Sequence, residues 1–219
     1  MTRMPYRGIC GLVLLVMVSA CAPMPYDEAV RRSAVFEPEH VYDLVTIPPA
    51  ESVVRVVSWT SRQTADKYYP LGQGQVGVDV WVTHAPEVKQ RCAAFSADPD
   101  ALRLRLQQLL GLPAQVEDRV FVELEVARAD LFRPCPDPDP AKAQCGADFP
   151  ADAGEAHKSW MAEQFLSRYR QPGGYPWTHL GYTYDWAGGS IAGASEFVLR
   201  KGARITVTGK SETPAYCRG

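Results

Sequence analysis

The chain has 219 residues, 46% of them hydrophobic, with a formal charge of −2. That apolar share supplies a globular core, and the absence of a basic excess argues against nucleic acid as a partner, since phosphate binding needs a basic face. Beyond the first twenty residues no segment is long and apolar enough to cross a bilayer, so a soluble body is expected, in one domain rather than two.

In chain order, Arg3 and Arg7 form a positive head, and Gly8 to Val18 is an apolar run too short to span a membrane comfortably. It closes on Val18-Ser19-Ala20-Cys21. This arrangement resembles the lipobox signal of bacterial lipoproteins, in which the cysteine becomes the lipidated first residue. The resemblance covers the targeting segment alone. It implies removal of residues 1–20, acylation of Cys21 and tethering to a lipid bilayer. With Ala22 rather than aspartate after the cysteine, it also implies sorting to the outer membrane, facing the periplasm. Residues 1–20 carry Arg3, Arg7 and no acid, so the mature chain would stand near −4.

Residues 21–50, with Pro23, Pro25, Pro38, Pro48 and Pro49, read as a tether that docks through Leu44 and Ile47. The globular body is expected over 51–219. Val53 to Trp59 is a β-branched run and reads as a buried strand. Residues 61–75 are polar and read as a loop. Val76, Val78, Val80 and Val82 alternate, which predicts a second strand with one face on the core. Pro86 and Glu87 open a short helix through Phe95. Asp98 is a good N-cap and Pro99 suits the first helical position; Gly111 and Pro113 end the element. Leu102, Leu106, Leu109 and Leu110 share one side of that helix. Val120, Val122, Leu124 and Val126 predict a third strand, with Glu123 and Glu125 on its other face.

Residues 130–153 read as a proline-rich loop. A helix is predicted over 155–169, burying Met161, Phe165, Leu166 and Tyr169 and stopped by Gln171-Pro172-Gly173-Gly174. After a glycine-rich turn at 187–193, Glu196 to Leu199 and Ile205 to Val207 predict a terminal hairpin around Lys201-Gly202. Strands and helices do not alternate regularly, so the expected fold class is α+β, a mainly antiparallel sheet with two or three packed helices. The phrases LFRPCPDP and GYPWTHLGYTYDW are similar to segments of exported bacterial proteins of unassigned function, over residues 120–217 at most. That likeness implies no activity.

Cys10 lies in the signal and Cys21 is the lipidation candidate, which leaves Cys92, Cys135, Cys145 and Cys217. Four cysteines in an exported chain imply two disulfides, with three possible connectivities. Cys135 and Cys145 bracket CPDPDPAKAQC and form the natural local pair, which leaves Cys92 with Cys217. A metal site is the competing reading, but no C-x2-C pair and no histidine at finger spacing supports it. In the loop-entropy picture the local link is worth about 2–3 kcal/mol and the long one roughly 4–5.

Recognisable catalytic motifs fail. Gly209-Lys210-Ser211 ends like a phosphate loop, yet Arg204 stands where its first glycine belongs. Gly72-x-Gly74 lacks a third glycine and a following helix. No G-x-S-x-G or H-E-x-x-H occurs, and Pro140 and Ala141 break the calcium-loop start at Asp137 and Asp139. His40, His84, His157 and His179 are mutually isolated in sequence and read as surface or hydrogen-bonded side chains. A base at His179 beside Asp185 has no matching nucleophile. No cofactor or metal is expected.

Residues 175–186 carry the densest chemistry: Tyr175, Trp177, His179, Tyr182, Tyr184, Asp185 and Trp186. At strand spacing Tyr182, Tyr184 and Trp186 share a face. The rings either fill a core, the preferred reading, or form an exposed platform for cell-wall glycan or an envelope protein. Two functions follow: a tethered, non-catalytic binding or assembly module, or a periplasmic hydrolase with a cleft joining His179 or His84 to Asp185 or Glu123.

Overall fold

A computed structural model describes residues 24–219; the expected signal over 1–20 and the expected acylation of Cys21 lie outside them. The fold is α+β. Its eight strands are β1 (Val53–Ser61), β2 (Gly72–Gln75), β3 (Val80–His84), β4 (Arg119–Ala127), β5 (Leu131–Phe132), β6 (Tyr182–Tyr184), β7 (Ala192–Leu199) and β8 (Arg204–Glu212). They pair antiparallel in the order β2-β8-β4-β1-β3-β7-β5, and β6 joins β7. The long central pair runs from Val53 opposite Ala127 to Ser61 opposite Arg119.

Two short links force this sheet to roll. β7 and β8 are joined by residues 200–203 yet stand four strand spacings apart, about 19 Å across a flat sheet. Five residue steps reach roughly 17 Å when fully stretched, and this link is folded: Gly202 takes φ +87° and the Ala203 amide donates to the Arg200 carbonyl at 3.0 Å. The 76–79 link between β2 and β3 makes the same jump. The links bond to each other at the seam, Val76 N–H to the Ala203 carbonyl at 3.1 Å and Gly202 N–H to the Val76 carbonyl at 2.8 Å. The predicted hairpin of 196–199 with 205–207 therefore does not form, because each strand finds its partners on opposite sides of the roll. The four-valine alternation is also corrected: Val76 and Val78 belong to the seam link, and Val78 is 66% exposed.

Inside the roll, Val54, Val56, Val82, Val122, Leu124, Phe197, Leu199 and Ile205 meet in one core. Outside it, α3 (Ala85–Ala93), α4 (Pro99–Leu109) and α6 (Thr213–Arg218) cover Val57, Trp59 and Phe121. Tyr216 of α6 stacks on Phe121 at 4.0 Å. Asp98 caps α4, accepting from the Ala101 amide at 2.9 Å, and Leu102, Leu106 and Leu109 are buried as the stripe required. The Cys92–Cys217 disulfide ties α3 to α6, and Cys135–Cys145 closes the proline-rich loop. Residues 61–75 are more ordered than a loop: α2 (Arg62–Tyr68), capped by Ser61, precedes β2.

The segment read as a tether is laid along the body. In α1 (Tyr26–Ser33), Ala29 packs with Tyr184 and Trp186. Leu44 and Ile47 are buried, as expected, and their amides donate to the Ala143 and Pro140 carbonyls. Met24 and Tyr26 also pack against the Ala29, Tyr184 and Trp186 cluster.

One side chain pins this strap. Arg133 is fully buried, and its Nη2 donates to the carbonyls of Val45 (2.7 Å), Pro140 (3.1 Å) and Lys142 (3.3 Å). Its guanidinium lies 4.6 Å from the Phe197 ring centroid, so a π face stands where acceptors for Nε and Nη1 are missing. Burial brings its pKa down to about 10, still charged at neutral pH. Gly181, at φ +82°, leaves the space it needs: a Cβ there would come within 2.7 Å of Arg133 Cδ. Arg133→Met should destabilise by about 3 kcal/mol, because buried carbonyls lose their donor. The 41–47 strap should become protease-sensitive before the sheet melts; digestion followed by mass spectrometry checks the order.

Candidate functional site

Register builds the site. Trp81 pairs with Val198 and Thr83 with Glu196, so these four side chains share the outer face of β3 and β7. That face is covered by residues 175–186 and by α5 (Glu155–Phe165). Beyond Phe165 the helix widens into one turn of π-helix, Leu166–Arg170, of a kind that recurs at functional positions. The helix was expected to run to 169 and to bury Leu166; the widened turn leaves Leu166 60% exposed instead. It also lets Arg168 lie against two rings, 4.8 Å from the Trp81 centroid and 5.3 Å from the Tyr175 centroid.

Between these groups lies a pocket of about 280 Å³, walled by Trp81, Trp177, Tyr175, Arg168, Arg119 and Glu196 among others. Three of its lining side chains carry a polar atom without a partner. The Trp177 indole N–H, Arg168 Nε and Arg119 Nε are buried without one. Desolvation drives the Glu196 carboxyl up to about 8, despite the opposing pull of Arg168, so it is protonated and a donor at neutral pH. The polar side chains of its lining are thus mostly donors, set among flat aromatic rings.

The aromatic segment itself is mostly core. Trp177, His179, Tyr182, Tyr184, Asp185 and Trp186 are all buried; Tyr175 alone, at 39%, reaches the surface. The shared face of Tyr182, Tyr184 and Trp186 is therefore not an exposed platform. Their polar ends are satisfied: Tyr182 Oη donates to the His40 carbonyl (2.8 Å) and Trp186 Nε1 to the Leu112 carbonyl (3.1 Å), while Tyr184 Oη lies 3.8 Å from Met24 Sδ. Trp177 is the exception.

His179 and Asp185, one pairing of the imagined His–carboxylate cleft, each have other partners. Asp185 is held by both Arg105 nitrogens, at 3.1 and 2.6 Å, and by the Ala187 amide. His179 sits at φ +49°, with Nδ1 3.4 Å from the Tyr169 hydroxyl, which also donates to the Trp177 carbonyl. Burial pulls the His179 pKa down to about 4, partly offset by its bond to the Trp177 backbone, so it is neutral at pH 7. His84 is also lowered by burial. Among the described residues no group of three or more His, Cys, Asp or Glu side chains is placed to hold a metal ion.

Sequence reasoning found Tyr175 and Trp177 but missed Trp81, Arg168 and Glu196. A usable signal existed: Glu196 is the lone acid in the otherwise apolar and small-residue strand AGASEFVL. Its titration is testable. A folded pKa near 8, above the ordinary 4.5, means the fold keeps a proton that the unfolded chain releases between those values. Stability from this group is complete below pH 4.5 and is lost as pH rises to 8. Glu196→Gln imitates the protonated acid at every pH. It should match the parent near pH 4.5 and exceed it by about 2–4 kcal/mol above pH 8; thermal melts at both ends of that range check the divergence. No protein-family model, curated protein or solved structure matches this chain.

Proposed function

We propose that this chain is a lipid-anchored protein of the bacterial envelope whose body binds cell-wall glycan without transforming it. The lipobox-like 18–21 segment supports the anchor, and two disulfides suit an oxidising compartment. The outer membrane, with the body facing the periplasm, is the location that Ala22 favours.

One observation carries the ligand reading: Trp177 and Arg168, each with a buried N–H group that has no partner, line a pocket with protonated Glu196, Trp81 and Tyr175. A saccharide ring supplies what such a pocket lacks, hydroxyl and carbonyl acceptors around an apolar CH face that lies flat on indole. Binding is favoured over hydrolysis by the count of acids. Glycoside cleavage ordinarily uses two carboxyl groups, and Glu196 is the single acid of the lining.

The anchor is tested by Cys21→Ser and cell fractionation. The variant should stay unprocessed and unacylated, and membrane retention of a processed form would remove the anchor reading. The ligand is tested by Trp177→Phe, which keeps a ring and deletes one donor. Calorimetry with soluble peptidoglycan fragments should show about tenfold weaker binding, the cost of one buried hydrogen bond. Equal affinities, or no binding by the parent protein, would exclude glycan from this pocket.

A further inference from the structure

A second cavity lies on the other side of the Trp177 wall. It is an open trough of about 1020 Å³ between α1 and α5, at the upper end of the size of small-molecule sites. Its floor and lips are apolar: Phe36, Phe149, Met161, Phe165 and Leu166 line it. Leu166 is 60% exposed and Phe149 38%, an apolar surface left open rather than packed.

The charge around this trough has one sign. Arg31, Lys158 and Arg170 line it, and no aspartate or glutamate does. Glu28 and Glu155 pair with Arg31 and Lys158 from outside the lining, but Glu28 is shared with Arg32. Arg170 is exposed. Apolar walls with a cationic rim complement a molecule that has an apolar tail and an anionic head.

Its position names the source of such a molecule. α1 contributes Val30 and Arg31 to the trough and its C-cap contributes Ala34, and α1 begins at Tyr26, five residues after Cys21. Five residues reach at most roughly 17 Å. A lipid on Cys21 therefore holds this edge of the body at the bilayer surface, where basic side chains gain from anionic headgroups.

We infer that the α1–α5 trough takes an acyl chain of an anionic phospholipid from the membrane on which the body rests, with Arg31, Lys158 and Arg170 at its headgroup. The inference draws on the anchoring reading only for the origin of the lipid. The trough's chemistry stands without it.

The test uses residues 22–219 exported behind a cleavable leader, so that no lipid is attached at Cys21. The eight-stranded sheet, the helices that cover it and both disulfides are built from residues 24–219, so this body keeps them, and a cooperative thermal melt confirms its fold before binding is read. Sedimentation is compared with vesicles of phosphatidylcholine alone and of phosphatidylcholine with phosphatidylglycerol. Association should require phosphatidylglycerol and weaken about fivefold for each of Lys158→Glu and Arg170→Glu. Ala162→Trp fills the trough from an exposed position, so it should abolish association while leaving the thermal melt unchanged. In native mass spectrometry the parent should carry one phospholipid and the Ala162→Trp variant none.

Equal association with both vesicle types, or an Ala162→Trp variant that binds like the parent, would overturn the inference. Dimerisation in lipid-free buffer that Ala162→Trp abolishes would assign the trough to a second copy and overturn it too. An unacylated Cys21 in cells, with phosphatidylglycerol binding intact, would remove the anchor and leave the trough's ligand standing.

Discussion

The guanidinium of Arg133 joins parts of the chain that strand pairing does not bring together. It holds the 41–47 strap through Val45, the disulfide loop through Pro140 and Lys142, and β7 through the face of Phe197. It also sets the conformation of the next layer, because only a residue without Cβ fits against it at position 181. β6 starts one residue later and Trp177, a wall of the smaller pocket, lies four residues earlier, so this contact helps to place both. Charge-assisted bonds of about 1.5–3 kcal/mol each offset a desolvation cost of several kcal/mol. Net stability from the arginine is therefore modest. Its effect is to fix the relative position of strap, loop and sheet.

Unpartnered polar atoms separate into two kinds. Those of Arg133 face an aromatic ring that substitutes for acceptors; they serve the fold. Those of Trp177 and Arg168 belong to side chains that line the 280 Å³ pocket together with a carboxyl that burial keeps protonated. Local rules of polar satisfaction are broken at functional places more often than elsewhere. Glu196 illustrates the cost. A glutamine there would remove its pH-dependent loss of stability, so the acid opposes folding at neutral pH, a trade common at sites that act.

Much of the fold was legible because local and tertiary demands agreed. In β4 the alternation of Val120, Val122, Leu124 and Val126 matches the roll's interior. In α4, cap, first-turn proline and leucine stripe all point one way. The two disulfides followed from compartment and spacing. Legibility failed where neighbours in sequence are not neighbours in the sheet. Nothing local distinguishes Lys201-Gly202 as a seam crossing rather than a hairpin turn, since both need a glycine at positive φ. The valines at 76 and 78 keep the spacing of a strand while serving that same seam. The aromatic segment was legible as core material and not as a site, because its one unsatisfied ring depends on Trp81 and Arg168, which arrive from 96 residues before and nine before Trp177.

The two cavities are not independent features. Phe165 lines the trough and lies edge-on to Trp177 at 5.3 Å, and Trp177 walls the pocket. Tyr169, on the π turn beside Arg168, stacks on Trp177 and donates to its carbonyl, while also lining the trough. The single widened turn at 166–170 therefore contributes Arg168 to one cavity and Leu166, Tyr169 and Arg170 to the other. A ligand that moves this turn changes both walls, because packed interiors respond by discrete rearrangement rather than by absorbing strain locally. Coupling of this kind is reciprocal: if the proposed acyl chain favoured the proposed glycan by some free energy, the glycan would favour the acyl chain by the same amount. The π turn is the element through which a membrane-resting body would relate what lies beneath it to what it binds.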